Sequence, residues 1–435
     1  MSNLSREQLA EKWKSVLDRP TYGKIEDAYK RQVTAILLEN QHTEAAKIND
    51  PSGMLVEDAP ANQSGTFPTA TNLKGYDPIL IALARRAMPN LIAYDICGVQ
   101  PMNGPTGLIF ALRSRYGSQG GDEALHHEAN TAWSSAGLSA NSHTGTSPAN
   151  ATYDAARTMS TLQGEGLGTT SNTAIPEMAF SIEKVTASAG TRALKAEFTH
   201  EIQQDLKAVH NLDAEGELAN ILSAEILAEI NRELVRTIGY VAVTGSSNTT
   251  TPGTFDMDAD SNGRWSVEKF KGLFFQIERE ANAIAKTTRR GRGNILLTSS
   301  DVASALVAAS LLDNGGNGLS AGLNVDDTSS TFVGTLAGRY KVFIDPYAPV
   351  AASQEYMIVG YKGASPFDAG IFYCPYVPLQ MMRAVNPSSF IPVIGFKTRY
   401  AVVANPFSQT TGISDGTLNS ANNVYYRKSV ISNLF

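Results

Sequence analysis

A long helical pattern between Asp213 and Tyr240 constrains the fold of this chain more than any other feature. Aliphatic side chains recur there about once per helical turn and mark one flank of an apolar stripe: Leu218, Leu222, Ile226, Ile230, Leu234 and Ile238. Ile221, Leu227 and Val235 broaden this stripe. Asp213 is of a residue type that caps helix N-termini, and the pattern predicts a rod roughly 40 Å long. We expect this helix to form the backbone of one domain.

Further helices and strands are predicted on both sides of this rod. Thr199 is expected to cap a short helix that ends near His210, and Ser266 to begin an amphipathic helix. That second helix has apolar side chains at helical spacing: Val267, Phe270, Phe274, Ile277, Ala281 and Ile284. A strand at residues 294–298 and a helix at 300–312 follow. Residues 331–407 have the pattern of strands separated by Gly/Pro turns.

Composition excludes several classes of protein. The 435 residues are 42% hydrophobic, which is too apolar for a disordered chain. The net charge of −6 argues against strong nucleic-acid binding over the whole surface. Cys97 and Cys374 are the only cysteines, so no disulfide framework is expected, and both fit buried small side chains in a reducing compartment. Neither a signal peptide nor a transmembrane helix is predicted, which favours a soluble protein made in a cytosol.

The N-terminal region has the pattern of a separate helical segment followed by an extended arm. Helices are predicted from Ser5 to Leu17 and from about Ile25 to Lys47, and residues 50–53 break the second one. Residues 58–74 are rich in small and polar side chains and are expected to be extended. A short island of apolar and acidic residues, Met54–Glu57, lies between helix and arm, where exposed segments are most open to proteases.

The middle of the chain contains a strand pattern and a long polar stretch. Leu91–Val99 has the composition of a buried strand. In the next strand pattern, up to Tyr116, Leu108, Phe110 and Leu112 are expected to face one way, with the arginines facing the other way. Residues 117–172 are dense in Gly, Ser, Thr, Ala and Asn. We interpret them as the tip of an extended hairpin that carries an insertion.

One segment resembles the opening of a calcium-binding loop. Asp258, Asp260 and Asn262 supply oxygen donors at alternate positions, and a glycine follows. The twelfth position of the loop is Lys269, whereas a calcium loop needs a bidentate Glu there. The alternative is a polar turn before a helix whose acidic first turn complements the helix dipole. Asp258, Asp260 and Asn262 are therefore only a weak candidate metal site.

Other polar clusters favour simpler interpretations. His126, His127 and Glu128 are adjacent residues, which rarely point at one metal ion. The glycines of residues 164–168 lack the strand and helix of a dinucleotide loop and are expected to form a flexible loop. Lys286, Arg289, Arg290 and Arg292 complement a helix C-terminus, or contact an acidic neighbour or DNA. Since no catalytic triad or nucleophile–base pair can be assigned, neither an enzyme nor a cofactor is expected.

Several segments resemble the major capsid proteins of T-even-like tailed bacteriophages, which are myoviruses. The resemblance extends in order from about residue 77 to 435. Its most specific segments are Leu91–Gly107 (LIAYDICGVQPMNGPTG), Leu206–His210, Ile230–Glu233, Gly360–Gly363, Asp368–Ile371 and Gly395–Tyr400. Matches this long and collinear are far more specific than a single short motif.

The resemblance implies an α+β chain with the Hong Kong 97-type capsid fold. Its parts would be an N-terminal arm, an extended hairpin loop with an insertion, a peripheral domain with a long spine helix, and an axial domain. The implied segments are 1–57 (helical propeptide), 58–100 (arm and start of the peripheral domain), 101–185 (hairpin loop with insertion), 186–245 (peripheral domain with spine helix), 246–375 (axial domain) and 376–435 (return to the peripheral domain and C-terminus).

The implied function is assembly of hexameric capsomers into an icosahedral shell that encloses double-stranded DNA without binding it specifically. Family precursors lose an N-terminal segment to a prohead protease that cuts after an aliphatic-x-Glu sequence. Leu55-Val56-Glu57 fits that pattern, so cleavage is expected between Glu57 and Asp58. Expected partners are other copies, a vertex capsid protein, an internal scaffold and decoration proteins. The alternatives are the paralogous pentameric vertex protein and, more distantly, a hydrolase or glycan-binding surface protein.

Overall fold

The computed structural model divides the chain into two compact units. Unit 1 contains Met1–Leu108, Thr186–Thr287 and Gly291–Phe435, and unit 2 contains Ile109–Val185 with Thr288–Arg290. The residues described are 6–18, 25, 27–48, 91–125, 128–139, 141–145, 147–149, 151–169, 174–210, 213–261, 263, 265–309, 312–313, 332–348, 355–386, 388, 391–409 and 414–434.

Helices and strands are both numerous in these residues, in keeping with the predicted α+β class. The helices are α1 (Arg6–Lys12), α2 (Lys14–Leu17), α3 (Ala28–Ile48), α4 (Ala93–Ile96), α5 (Thr161–Glu165), α6 (His200–Asp205), α7 (Ala214–Val241), α8 (Ser266–Thr288) and α9 (Ser300–Ala308). The strands are β1 (Gly98–Val99), β2 (Thr106–Tyr116), β3 (Met178–Ser188), β4 (Gly190–Glu197), β5 (Ala242–Thr244), β6 (Thr254–Asp256), β7 (Ile295–Thr298), β8 (Leu312–Asp313), β9 (Phe332–Leu336), β10 (Tyr340–Ile344), β11 (Glu355–Gly360), β12 (Ile371–Val385), β13 (Pro392–Ala404) and β14 (Asn423–Ser432).

Unit 1 contains two sheets. The first has the strand order β1-β12-β13-β4, in which β12, β13 and β4 are antiparallel and β1 pairs with β12 in parallel. The second has the order β5-β14-β11-β7-β10-β9-β8, with β6 also paired to β14. Both sheets bring together strands that are far apart in the sequence, as the pairing of β13 with β4 in the first sheet and of β14 with β5 in the second illustrates.

Helix α7 is the predicted rod, and it packs against β4 and β13 of the first sheet and β14 of the second. Its buried side chains include Leu222, Ile226, Ile230, Leu234 and Ile238, as the apolar stripe predicted. The Asp213 carboxylate caps the helix by accepting a hydrogen bond from the Glu215 backbone N–H. The Thr199 hydroxyl likewise caps α6, whose last turn widens into a π-helical turn at Leu206–His210. Both predicted caps are thus confirmed.

The segment Leu91–Val99 differs from its prediction. It is buried, but it forms the single-turn helix α4 and the two-residue strand β1 instead of one continuous strand. The local backbone bonds from Asp95 N–H to Ile92 O and from Cys97 N–H to Ala93 O close the helical turn. A short, fully apolar run has no periodicity that separates helix from strand, so the sequence alone did not reveal this turn.

A buried polar cluster joins α8, β14 and the turn after β5. The Glu280 carboxylate accepts hydrogen bonds from Ser246 N–H (2.7 Å), Gln276 Nε2 (2.8 Å) and Arg427 Nε (2.6 Å). The Ser246 hydroxyl donates to the Ser429 hydroxyl (2.8 Å). Because every member has a partner, the carboxylate is buried without a large desolvation penalty.

A second buried carboxylate, that of Asp345, links the second sheet to α7. Asp345 accepts a hydrogen bond from Arg232 Nη1 at 2.5 Å, another from the Tyr356 hydroxyl, and a third from Tyr347 N–H at 3.0 Å. Burial by itself would raise the pKa of Asp345, but the hydrogen bonds from Arg232 and Tyr356 outweigh it. The net pKa therefore lies below the usual value for Asp. A cavity of about 280 Å³ lies beside this carboxylate, with Val235 and Ile358 in its wall.

We expect Ile230→Ala to lower the free energy of unfolding by about 2–5 kcal/mol, because Ile230 is 1% exposed and its loss leaves a cavity in the core. Ile221→Ala on the same helix is the matched control. Ile221 was predicted to broaden the buried stripe but is 61% exposed, so its truncation should change stability by no more than about 0.5 kcal/mol. Urea unfolding of both variants measures the difference, and equal losses would contradict the described packing of α7.

Replacing Asp345 by Asn should reduce the dependence of stability on acid pH. A folded-state pKa below the unfolded value of about 3.9 contributes stability above that pH, which is lost as the pH falls through the folded-state pKa. The unfolding free energy of Asp345→Asn should therefore be lower than that of the parent at neutral pH, with the gap closing in acid. Chemical denaturation at a series of pH values measures this gap, and a gap independent of pH would refute the assignment.

Candidate interaction surfaces

The hairpin formed by β2 and β3 exposes an apolar face in unit 2. Phe110 is 65% exposed, Leu112 67%, Phe180 62% and Ile182 63%. They alternate along their strands with less exposed residues, as the pattern at Leu108–Leu112 predicted for one face of β2. Isolated apolar side chains on a surface are normal, but several of them on one face of a hairpin form a patch of the kind found at interaction sites.

The opposite face of the same hairpin is polar and has its own partners. Arg113 Nη2 lies 2.5 Å from the Glu123 carboxylate, and both side chains are largely buried. Arg115 Nε donates to the Ser181 hydroxyl at 2.8 Å, and Arg115 Nη2 lies 3.3 Å from Glu183. The charges of this face are therefore satisfied within unit 2. The apolar face, by contrast, has most of its area in contact with solvent.

The N-terminal helices pack against the remainder of unit 1, of which they are part. Helix α3 packs against β12, and its side chains Val33 and Leu37 belong to the same buried cluster as the stripe of α7. On its other side, α3 packs against α1 and α2 in a small second cluster that contains Trp13 and Leu38. An ion pair at 2.7 Å between Lys12 and Glu39 reinforces this second contact.

Polar side chains of α3 bind main-chain carbonyl groups of unit 1. The Asn40 amide Nδ2 donates to Met102 O at 2.8 Å and to Tyr376 O at 3.0 Å. The Tyr29 hydroxyl donates to Val99 O. The Lys30 ammonium lies 5.3 Å from the centre of the Tyr94 ring. We call the surface formed by these four partners, Tyr94, Val99, Met102 and Tyr376, the α3 seat.

An ion-pair network lies on the side of α7 that faces β4. Arg192 Nη1 lies 2.8 Å from Glu229, and Arg192 Nη2 lies 2.6 Å from Glu233. The Tyr400 hydroxyl donates to the same Glu233 carboxylate. Burial and this hydrogen bond raise the pKa of Tyr400 above its ordinary value, so the hydroxyl keeps its proton and remains a donor. The network joins α7 to two strands and offers no nucleophile.

The candidate calcium residues act as a turn in the residues described. The Asp260 carboxylate accepts hydrogen bonds from Thr250 N–H (2.9 Å) and Asp256 N–H (3.0 Å), and Asp258 forms an ion pair with Lys269. Asn262 lies outside the described residues. The cation of Lys269 thus stands at the position where a calcium loop has its bidentate Glu. Among the residues described, no group of three or more His, Cys, Asp or Glu side chains could hold a metal ion.

Some of the other predicted clusters have structural roles, and others lie outside the described residues. Burial raises the pKa of the Cys97 and Cys374 thiols to about 12, so both stay protonated and unreactive. Arg292 forms an ion pair with Glu278, and Lys286 lies in the last turn of α8. Of the histidine cluster, His126 and His127 lie outside the described residues, as do the predicted cleavage residues Leu55, Glu57 and Asp58. In the residues described, no helix is long and apolar enough to cross a membrane.

Sequence reasoning missed the docking residues of α3 and the exposure of the hairpin face. Tyr29, Val33 and Leu37 follow one another at helical spacing in the predicted helix, and Asn40 lies three residues after Leu37, so the helical period contained the signal. In β3 of the hairpin, Phe180 and Ile182 alternate with Ser181 and Glu183, just as apolar and polar side chains alternate in β2. Alternation identifies two faces, but it does not say which face another molecule covers.

Comparisons of sequence with known proteins give a consistent result. The family model described as Major capsid protein Gp23 matches residues 73–431. The major capsid protein of Serratia phage KSP90 is 36% identical over 457 residues, which cover 99% of each chain. That of Enterobacteria phage T4 is 34% identical over 528 residues, which cover all of each chain. The capsid vertex protein of Escherichia phage AR1 is 28% identical over 260 residues, which cover 55% of each chain.

Among solved structures, the chain is similar to phage capsids at low sequence identity. The capsid of Myoviridae phage XM1 matches with a TM-score of 0.41 and 10% identity, covering 78% of this chain and 92% of the other. The capsid of an empty GTA particle matches with a TM-score of 0.34 and 12% identity, covering 90% of this chain and 97% of the other.

Proposed function

The chain belongs to the Gp23 family of major capsid proteins, and we propose from this premise that its copies form hexameric capsomers in the shell of a tailed-phage head. As a family member it is a structural protein of the virion and not an enzyme. The vertex proteins match over a much shorter part of the chain, which favours the hexamer-forming role over the pentameric one. We extend the proposal to the Hong Kong 97-type fold, with the segment boundaries given above.

The apolar hairpin face is the observation that best supports assembly through this surface. Phe110, Leu112, Phe180 and Ile182 would each gain about 1.5–3 kcal/mol on full burial. A partner surface that excludes water from this row would therefore supply a substantial part of the binding free energy. In a shell made of one kind of subunit, the most abundant partner is a neighbouring copy, so we assign this face to a contact with the next subunit.

The charge of the protein supports a container that encloses DNA without binding it tightly. A net charge of −6 repels the phosphate backbone at long range. Among the basic residues noted in the sequence, Arg292 is paired with Glu278, so its charge is already compensated. We also propose the vertex protein, the scaffold, the prohead protease and decoration proteins as partners.

We further propose that maturation removes the segment 1–57 by a cut between Glu57 and Asp58. The support is the aliphatic-x-Glu sequence Leu55-Val56-Glu57, which follows the end of α3 at Ile48 and precedes the polar arm. A cut there would separate all three N-terminal helices from the rest of the chain in one step. Because hydrolysis of the peptide bond is irreversible in practice, it would give assembly a direction.

Phe180→Asn should weaken assembly and leave the subunit folded. The change removes an exposed apolar side chain, and the lost burial of about 1.5–3 kcal/mol corresponds to at least a tenfold rise in the concentration needed for assembly. Lys184→Asn is the matched control, because this exposed residue lies on the same strand and the same face but is already polar. Light scattering during assembly, with urea unfolding of the subunit, measures both effects. Equal assembly by the two variants would exclude the hairpin face as a contact.

Intact-mass analysis of the protein from purified virions tests the cut. We expect a chain that begins at Asp58, and we expect Glu57→Ala to leave the full-length chain in the particle, because the acidic residue before the cut is lost. Glu11→Ala, the same substitution elsewhere in the segment, should be processed normally. Mature particles that contain a chain beginning at Met1 would overturn the proposal, and the N-terminal helices would then be a permanent part of the shell.

A further inference from the structure

The contacts between α3 and its seat join residues on opposite sides of the proposed cut. We infer that the N-terminal helices stay bound to the remainder of unit 1 after the chain is cut between Glu57 and Asp58, so that the cut prepares their release but does not cause it. This inference rests on the proposed cleavage and concerns the step that follows it. The α3 seat would then be a helix-binding site whose ligand is the N-terminal segment of the chain itself.

A single stripe of α3 makes the contact. Tyr29, Val33, Leu37 and Asn40 follow one another at intervals of three or four residues, so they lie on one side of the helix. They span twelve residues, and the eleven steps between the first and the last cover roughly 16 Å along the axis. All four stripe residues precede the cut, whereas the seat residues Tyr94, Val99, Met102 and Tyr376 follow it. Hydrolysis after Glu57 therefore leaves each of these contacts chemically unchanged.

The polar contacts make departure of the helix costly. Asn40 uses one side-chain amide to satisfy two carbonyl groups, Met102 O at 2.8 Å and Tyr376 O at 3.0 Å. The Tyr29 hydroxyl satisfies a third, Val99 O. If α3 left, these three oxygens, which belong to buried residues, would need water as a replacement.

The apolar contacts also make departure of the helix costly. Val33 and Leu37 are each 1% exposed and are part of the core of unit 1. Departure of α3 would expose both side chains together with the core residues beneath them. The small cluster around Trp13 and Leu38 would leave with the helix as one piece, because both of its sides belong to the N-terminal segment. The released piece would thus contain α1, α2 and α3, and new apolar surface would appear both on α3 and on the part of unit 1 that it covers.

The cut changes only the covalent connection between the two partners. While the chain is intact, their association is intramolecular, and cleavage removes this advantage without changing the interface. Release then requires a change in the seat itself. Val99 and Met102 lie in the segment that leads to β2, which begins at Thr106. A rearrangement of this segment would break the contacts of Tyr29 and one of the two contacts of Asn40.

The experiment uses the full chain with the recognition sequence of a site-specific protease inserted between Glu57 and Asp58. The purified protein is cut to completion, and native mass spectrometry and size-exclusion chromatography at micromolar concentration follow the N-terminal segment. We expect it to stay with the remainder of the chain at one copy per chain. We expect Asn40→Leu, which removes both amide hydrogen bonds at similar volume, to release the segment at least about tenfold faster.

Gln32→Leu is the matched control, since it makes the same amide-to-aliphatic change on α3 outside the stripe, and its release rate should equal that of the parent. Thermal unfolding of each uncut variant shows whether the fold is intact before the cut. Immediate loss of the segment from the parent, or equal release by the Asn40 and Gln32 variants, would overturn the inference. The engineered cut does not use the natural cleavage site. An uncut chain in virions would therefore refute the proposed maturation while leaving this binding result interpretable by itself.

Discussion

Helix α7 packs its apolar stripe against strands of both sheets of unit 1, and most of the remaining structure depends on this burial. The stripe contacts β4 and β13 of one sheet and β14 of the other, so that a single buried cluster extends through both. Each sheet would otherwise expose an apolar face to water. The flank of α7 that does not enter the core carries the pairs of Arg192 with Glu229 and Glu233, which fix the orientation of the helix about its axis.

Two buried carboxylates show how the strands and helices are fixed in place. Glu280 and Asp345 each accept hydrogen bonds from several groups, and each has an arginine partner that is distant in sequence, Arg427 and Arg232 respectively. Such groups stabilise little beyond what apolar residues could, but they penalise any arrangement in which a partner is missing. They therefore favour one arrangement of strands and helices over alternatives with similar apolar burial.

The elements with strong periodicity were predictable from the sequence, and those without it were not. The stripe of α7 and the caps at Thr199 and Asp213 follow from residue spacing and side-chain chemistry alone. The helical turn in Leu91–Val99 could not be predicted in this way, because a fully buried run has no polar positions whose spacing would reveal a helical period. The weak calcium candidate depended on the partner of Asp258, which the fold determines by placing Lys269 against it. Likewise, the two carbonyl partners of Asn40 lie far apart in the sequence, and only the tertiary structure brings them together.

The proposed contact through the hairpin face would also set how a population of free subunits behaves. Phe110, Leu112, Phe180 and Ile182 are in water until another surface covers them, so a free chain resembles a sparingly soluble solute. Below a threshold concentration such a solute stays dispersed, and above it nearly every added molecule joins the condensed phase, which here is a closed particle. Each 1.4 kcal/mol gained per copy lowers that threshold by about tenfold. The number of shells in a cell would then depend on the amount of chain synthesised beyond this threshold concentration. A precipitate grows in the same way with the amount of solute added beyond its solubility.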